Sequence, residues 1–380
     1  MWNRLRHLGR DERGMSFVFV GLSFMAFMAA TTLAIDLGMV MTARTQAQNS
    51  ADAGALAGVG ALAFDNYDDR SANGPAVQSA VNTATTNSVM GSAPSATPGD
   101  VTFPVGPTGL SNRVRLSVYR SSDRGNAIAA LMGPLFGVPT VNISAVATAE
   151  ATPANAETCL APFAIPDKWI EKQTPGWDQS DTFNAFPSNP SLQPDIYHPV
   201  DEADYTGFDP QRDKGLELTI RAGTGNNIAA SFYDSLALPA DIGGSDYSAN
   251  ISSCNTSTLH IGDLLTAEPG NMVGPTNQGI DDLIAEDPGA YWDTTNNKVV
   301  STMNPSPRIK IVPVFDPYYW AVGKQNGRTA DLKAANFIGF FIESRSGNNV
   351  IGRITPVSGI IDGSTAAPAN AFPKVIRLVE

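Results

Sequence analysis

The sequence predicts an α+β fold: a long N-terminal transmembrane helix that continues beyond the membrane, a small α+β head, and a β-rich, sandwich-like C-terminal domain. Three observations carry that reading. Met15 to Ile35 contains no charged side chain, and about 20 such residues at 1.5 Å each cross roughly 30 Å of hydrocarbon. No proline interrupts the chain from there to Ala63. After residue 150, short strand-like runs are separated by proline- and glycine-rich turns, the spacing expected of a β domain.

The helix, assigned to residues 15–64, changes solvent at Asp36. Beyond it Ala47, Ala51, Gly54 or Ala55, Gly58 and Ala61 recur at helical spacing, with Arg44, Gln46, Gln48, Asn49 and Asp52 on the other sides. That stripe is small rather than bulky, which suits close approach of another helix or of the chain's own head. Asp36 reads either as an interfacial residue marking the end of the anchor or as a docking contact to another helix. Residues 1–14 form a basic segment with Arg4, Arg6, Arg10 and Arg13 against Asp11 and Glu12. Positive residues beside a span stay in the cytoplasm, so the N-terminus is expected inside and everything after Asp36 outside. A cleaved signal peptide is the competing interpretation, but its apolar core is about 7–15 residues, shorter than this one.

Residues 65–150 read as the head. The turn-rich DNYDDRSANG ends the long helix, and Pro75 to Val89 reads as a second helix with Val77, Ala80, Val81 and Ala84 on one face. Strands are expected at Val101–Val105 and Arg113–Arg120, a short helix at Asn126–Phe136, and another strand at Thr140–Ala149. Residues 151–158 read as a linker. Residues 159–380 read as the β-rich domain, with strands at Gly215–Arg221, Ile228–Phe232, Arg308–Phe315, Asn336–Ser344, Val350–Ile354 and Val375–Val379, and a helix at Gln278–Ala285.

Length and charge bound the function. The chain has 380 residues and a net charge of −12; removing the basic start leaves the rest more acidic still, which argues against a nucleic-acid partner. Cys159 and Cys254 both fall in the outer part. An oxidising compartment permits a disulfide between them, worth about 4 kcal/mol in the chain-entropy picture; two separately buried thiols are the other possibility.

The stretch RGMSFVFVGLSFMAFMAATTLAIDLGMVMTARTQAQNSADAGALAGVGAL resembles the N-terminal segment of Tad-type (TadE/TadG-like) Flp pilus-assembly proteins. The most specific pieces are Asp36-Leu37-Gly38, Gln48, and the run from Ala51 to Gly58. The later RVRLSVYR and VNISAVATAEA are similar to that family's head, and parts of the region beyond residue 159 to that of longer, TadG-like members. The resemblance implies a non-enzymatic, single-pass inner-membrane or minor-pilin-like component of a tight-adherence (type IVc) pilus, with a pilin-like head and a bacterial source. Its implied partners are other Tad components (minor pilins, the inner-membrane platform, the major pilin) and membrane lipid. The helix-packing residues are then Asp36, Ala47, Ala51, Gly54, Gly58 and Ala61. Gly14 is the candidate processing site, but Phe19 stands where prepilins of this class carry a glutamate, which favours an uncut tether. A pilus-tip adhesin and a tethered extracytoplasmic hydrolase are the alternatives.

No catalytic, cofactor or metal site is assigned. His198 and His260 are the outer histidines, and a surface turn and a strand position account for them. No Gly-x-Ser-x-Gly elbow occurs, and the glycine-rich Gly262–Thr276 lacks the Lys-Ser/Thr of a phosphate loop. The clusters Asp201, Glu202, Asp204 and Asp281, Asp282, Glu286, Asp287 lack EF-hand spacing and read as solvated surface.

Overall fold

Helix α1 (Arg13–Phe64) is unbroken over 52 residues. Phe17, Phe24, Phe27 and Leu33 of its apolar part are all exposed, as lipid-facing side chains would be. The hydroxyls of Thr31 and Thr32 are satisfied by the carbonyls of Phe27 and Met28 one turn back, at 2.8 and 2.7 Å, so neither is left as a free polar group in apolar surroundings. This computed structural model describes residues 13–107, 109–173, 176–223, 227–239, 243–270, 272–325, 332–363 and 365–379. Arg4, Arg6 and Arg10 of the basic segment lie outside them. The chain divides into two units, one comprising Met1–Val59, Arg70–Glu150 and Leu378–Glu380, the other Gly60–Asp69 and Ala151–Arg377.

In the first unit α2 (Pro75–Thr86) begins on Pro75, whose fixed φ and missing N–H suit a first turn. It buries Ala76, Val77, Ala80 and Ala84. Strands β1 (Val101–Thr102), β2 (Arg113–Arg120) and β5 (Ile143–Pro153) form an antiparallel sheet in that order. β2 pairs β5 from Arg113↔Glu150 to Arg120↔Ile143. Alternation puts Val114, Leu116 and Val118 on the buried face, all at 0% exposure. The outer ends of the pair are tied by Arg113 to Glu150 at 2.7 Å.

The helix expected at Asn126–Phe136 is absent. The segment instead opens a hairpin of β3 (Ile128–Ala129) and β4 (Thr140–Val141), with a single 3-10 turn at Gly133–Phe136 between them. Ala and Leu give the segment helical propensity, but Gly133 and Pro134 interrupt it. At Gly133 a Cβ would stand 1.9 Å from the Val138 carbonyl oxygen, so the tight return of the chain requires glycine there. Residues 151–158, read as a linker, are hydrogen-bonded backbone. β5 continues to Pro153, Ala154 donates to Pro373 O at 2.9 Å, and β6 (Ala156–Glu157) follows.

The second unit is the β-rich one, and its central strands close into a barrel rather than facing each other as two sheets. Strands β7 (Phe163–Pro166), β8 (Glu217–Ala222), β9 (Phe232–Ser235), β14 (Ile309–Phe315), β15 (Leu332–Ser346) and β16 (Asn349–Thr355) run in the order 15-14-7-9-8-16, and β16 pairs back to β15. β15 makes closure feasible: it is 15 residues long and pairs with both neighbours, and its pairing with β16 shifts register between Ile342 and Ser344. The β14–β7 and β8–β9 pairs are parallel. Phe163, Leu218, Val312, Val314, Ile338, Phe340 and Ile354 belong to the core.

Around the barrel, β10 (Leu259–His260) pairs β6, β11 (Leu264–Leu265) adds to β15, and β12 (Tyr291–Asp293) pairs β13 (Lys298–Val300). Helices α3 (Gly244–Ser252) and α4 (Val273–Glu286) touch at Gly279, where a Cβ would meet Ser248 O at 2.6 Å. α5 (Pro317–Gln325) follows β14, and β17 (Lys374–Leu378) closes the sequence of elements. Arg308, only 3% exposed, donates to the carbonyls of Asp287, Ala290, Ile342 and Glu343 and so satisfies its guanidinium in the interior. Cys159 and Cys254 form a disulfide across a separation of 95 residues.

Candidate functional site

The residues singled out on α1 gather along one seam of the first unit. Ala47, Ala51, Ala55 and Val59 are at 1% exposure or less. Gly54 sits so that an added Cβ would lie 2.3 Å from Leu116 Cδ2 and 2.8 Å from Ala80 O; one at Gly58 would lie 2.9 Å from both Ala80 Cβ and Val114 Cγ1. The small stripe is therefore filled by the chain's own α2 and β2. Ala61, in the second unit, is buried at 7%.

Polar side chains of α1 fix the seam lengthwise. Ser50 Oγ donates to Ala84 O at 2.8 Å, Gln46 Oε1 accepts from the Met90 N–H at 2.7 Å, and Gln48 Nε2 donates to Val146 O at 3.2 Å. Asp36 is the unexpected member. Its two carboxylate oxygens accept from the backbone N–H groups of Leu131 and Met132, each at 2.8 Å. Both bonds lie within the first unit. The sequence holds one signal for them: a lone carboxylate in an apolar run needs donors close by.

By contrast the two histidines sit on the surface of the second unit. His198 Nδ1 lies 2.9 Å from Glu202 Oε2 and 3.3 Å from Asp204 Oδ2, and these three side chains could together hold a metal ion. His260 bridges Asp263 at 3.3 Å and Asp362 at 3.1 Å. Members of the other acidic cluster are spent on protein donors, Asp281 on Arg345 at 2.6 Å and Asp287 on the hydroxyls of Ser301 and Ser306 at 2.6 Å.

Two buried carboxyls differ in how they are held. Asp167 accepts from the hydroxyls of Tyr197 and Tyr205 and from the N–H groups of Lys168 and Phe208; burial nonetheless pushes it up to about 6. Glu157, 3% exposed, has no hydrogen-bond partner for Oε1 among the described residues, and burial pushes its pKa up to about 8. A cleft of about 450 Å³ in the same unit is lined in part by Lys214, Lys298, Val299 and Ile309. Lys214 Nζ is occupied there, donating to the last helical carbonyl, Phe64 O, and to Asp65 O at 2.8 and 2.7 Å. A cation is favourable at that end of a helix.

No curated protein and no solved structure matches the chain. Residues 14–61, nearly the whole of α1, match the family model Tad, described as putative Flp pilus-assembly TadE/G-like. The chain thus carries a Tad-type, TadE/G-like N-terminal segment.

Proposed function

We propose that this protein is a non-enzymatic structural component of a tight-adherence (Tad, type IVc, Flp) pilus assembly system. The observation that carries the reading is the family match over residues 14–61, which falls on one unbroken helix. The segment Met15–Ile35 anchors the chain in the inner membrane as a single pass, N-terminus inside, with everything after Asp36 outside. Its role is minor-pilin-like: to order pilus subunits through α1 in contact with minor pilins, the major pilin and the inner-membrane platform.

Because Gly54 and Gly58 are occupied internally, the subunit contact falls to a face of α1 that the head leaves open. Ala26, Ala30, Ala34 and Gly38 recur every fourth residue there, all exposed, and nothing lies within 4 Å of a Cβ added at Gly38. Small residues at that spacing let helices approach closely in lipid. The double variant Ala30→Leu, Gly38→Leu should lose co-purification with other pilus components while remaining membrane-inserted and folded; unchanged co-purification removes this face from the proposal. Mass analysis of the N-terminus in membrane and sheared fractions tests the anchor itself. A chain beginning after Gly14 and present in the filaments would overturn the uncut tether.

A further inference from the structure

The apolar character of α1 does not stop at Asp36. Leu37, Met39, Val40 and Met41 follow, and Asp36 is the only charged residue between Met15 and Ala43. A carboxylate at the edge of the hydrocarbon is costly unless donors accompany it, and the hairpin β3–β4 brings two backbone N–H groups to it. That hairpin is itself built for apolar surroundings. From Asn126 to Ala149 the sequence carries no charge. Leu131 is 59% and Val138 53% exposed, and Pro134 is exposed beside them.

An independent tie sets the hairpin's height. Gln48 of α1 meets Val146 of β5. Going back from Gln48 to Asp36 descends about 18 Å of helix, and going back from Val146 to Thr140 descends about 20 Å of strand. Asp36 then ties the two paths again through the Leu131 and Met132 N–H groups, so the hairpin lies beside the end of the span. The tip is also preformed: Ala130 donates to Pro139 O at 3.0 Å, Val138 to Gly133 O at 2.8 Å, and Gly137 takes a left-handed φ of 78°.

We propose that the β3–β4 hairpin is a second membrane contact, with Leu131, Pro134 and Val138 resting in the headgroup–acyl boundary of the outer leaflet and Asp36 holding them there. The inference rests on the reading of Met15–Ile35 as the anchor and names a further lipid-binding surface beside it. Apolar side chains at that depth add binding by surface burial without crossing the bilayer.

The test uses the full chain, its disulfide intact, in phosphatidylcholine–phosphatidylglycerol vesicles, with nitroxide labels on Val138→Cys, Leu22→Cys and Asn73→Cys. Asn73 is exposed and precedes Ala76, whose carbonyl lies beside Gly58 at the far end of the seam. Collision with oxygen should exceed collision with a water-soluble nickel chelate at positions 22 and 138, and the order should reverse at 73. Adding Asp36→Ala should lower the oxygen-to-nickel ratio at 138 severalfold, toward the value at 73; an unchanged ratio removes Asp36 as the tether. A label at 138 open to nickel while 22 stays in lipid overturns the hairpin contact and leaves the anchor standing. Nickel access at 22 overturns both. A label at 138 shielded from both reagents, with spin–spin broadening, assigns the surface to a second copy and also overturns the proposal.

Discussion

Gly54 and Leu116 are in such close contact that a Cβ on the glycine would stand 2.3 Å from the leucine Cδ2. The leucine side chain could turn aside, but the same Cβ would also stand 2.8 Å from the backbone oxygen of Ala80, so a larger residue fits only if α2 moves away from α1. Gly54→Leu should therefore destabilise the first unit by about 3 kcal/mol or more, the upper range for overpacking a tight core. Gly38→Leu, placed in open space, should leave it unchanged. Thermal unfolding of the detergent-solubilised chain distinguishes them; equal melting temperatures would show that the seam does not support the head.

Asp36→Ala should release the hairpin tip while leaving the sheet intact. Amide exchange at Leu131 and Met132 is expected to rise roughly tenfold or more, since both N–H groups lose their acceptor. Exchange at Leu116 and Val118, inside the β2–β5 pairing, should not change. Mass-spectrometric hydrogen exchange reads both, and unaltered protection at 131 and 132 would refute the tie.

Glu157 sets a direction for pH dependence. Its carboxyl titrates at about 8 when folded and at about 4.3 when unfolded. The folded state thus holds its proton where the unfolded state has released it. Stability from this group is complete below about pH 4, falls as pH rises, and is fully lost above about pH 8. Asp167 acts in the same direction up to about 6, so the comparison must be with a variant. Glu157→Gln should make the melting temperature fall less steeply between pH 5 and 8 than the native chain's does. Parallel curves would show that Glu157 is not the source.

Reduction of the Cys159–Cys254 disulfide should lower the stability of the second unit. With a sequence separation of 95 between the partners, the chain-entropy picture gives about 4–5 kcal/mol. Denaturant titration of the native chain and the Cys159→Ser, Cys254→Ser variant measures it. A difference below about 1 kcal/mol would mean that neighbouring contacts, such as the Cys159 N–H to Asn255 O bond, already constrain this region.

Local pattern made several elements legible. Helix α1 announces itself through composition and the absence of proline, and β2 through strict alternation from Arg113 to Arg120. The α+β class and β-rich second part follow from the same signals. Alanine and leucine favour a helix at 126–136, whereas the chain's return is decided by Gly133 against Val138 O and by an acceptor some 95 residues away. Helix α3, with the polar sequence GSDYSANIS, carries no clear helical pattern because its stability comes from packing on α4 rather than from propensity. Barrel closure was invisible for a similar reason. The parallel pairs β14–β7 and β8–β9 join segments whose own patterns say nothing of their neighbours. The small stripe of α1 meets α2 and β2 at Gly54 and Gly58; spacing alone cannot distinguish a partner's backbone from the chain's own.

Closure of the six strands also limits how a ligand protein can be recognised. Each of the six strands has a partner on both sides, although the β14–β7, β7–β9 and β8–β9 pairings each cover two residue pairs, and the short β11 adds to β15. Templated growth by strand donation, the usual hazard of open sheets, finds little purchase on such a ring. A partner that met the ring itself would have to be read through side chains and loops, so its binding should change with surface substitutions far more readily than with changes inside the strands.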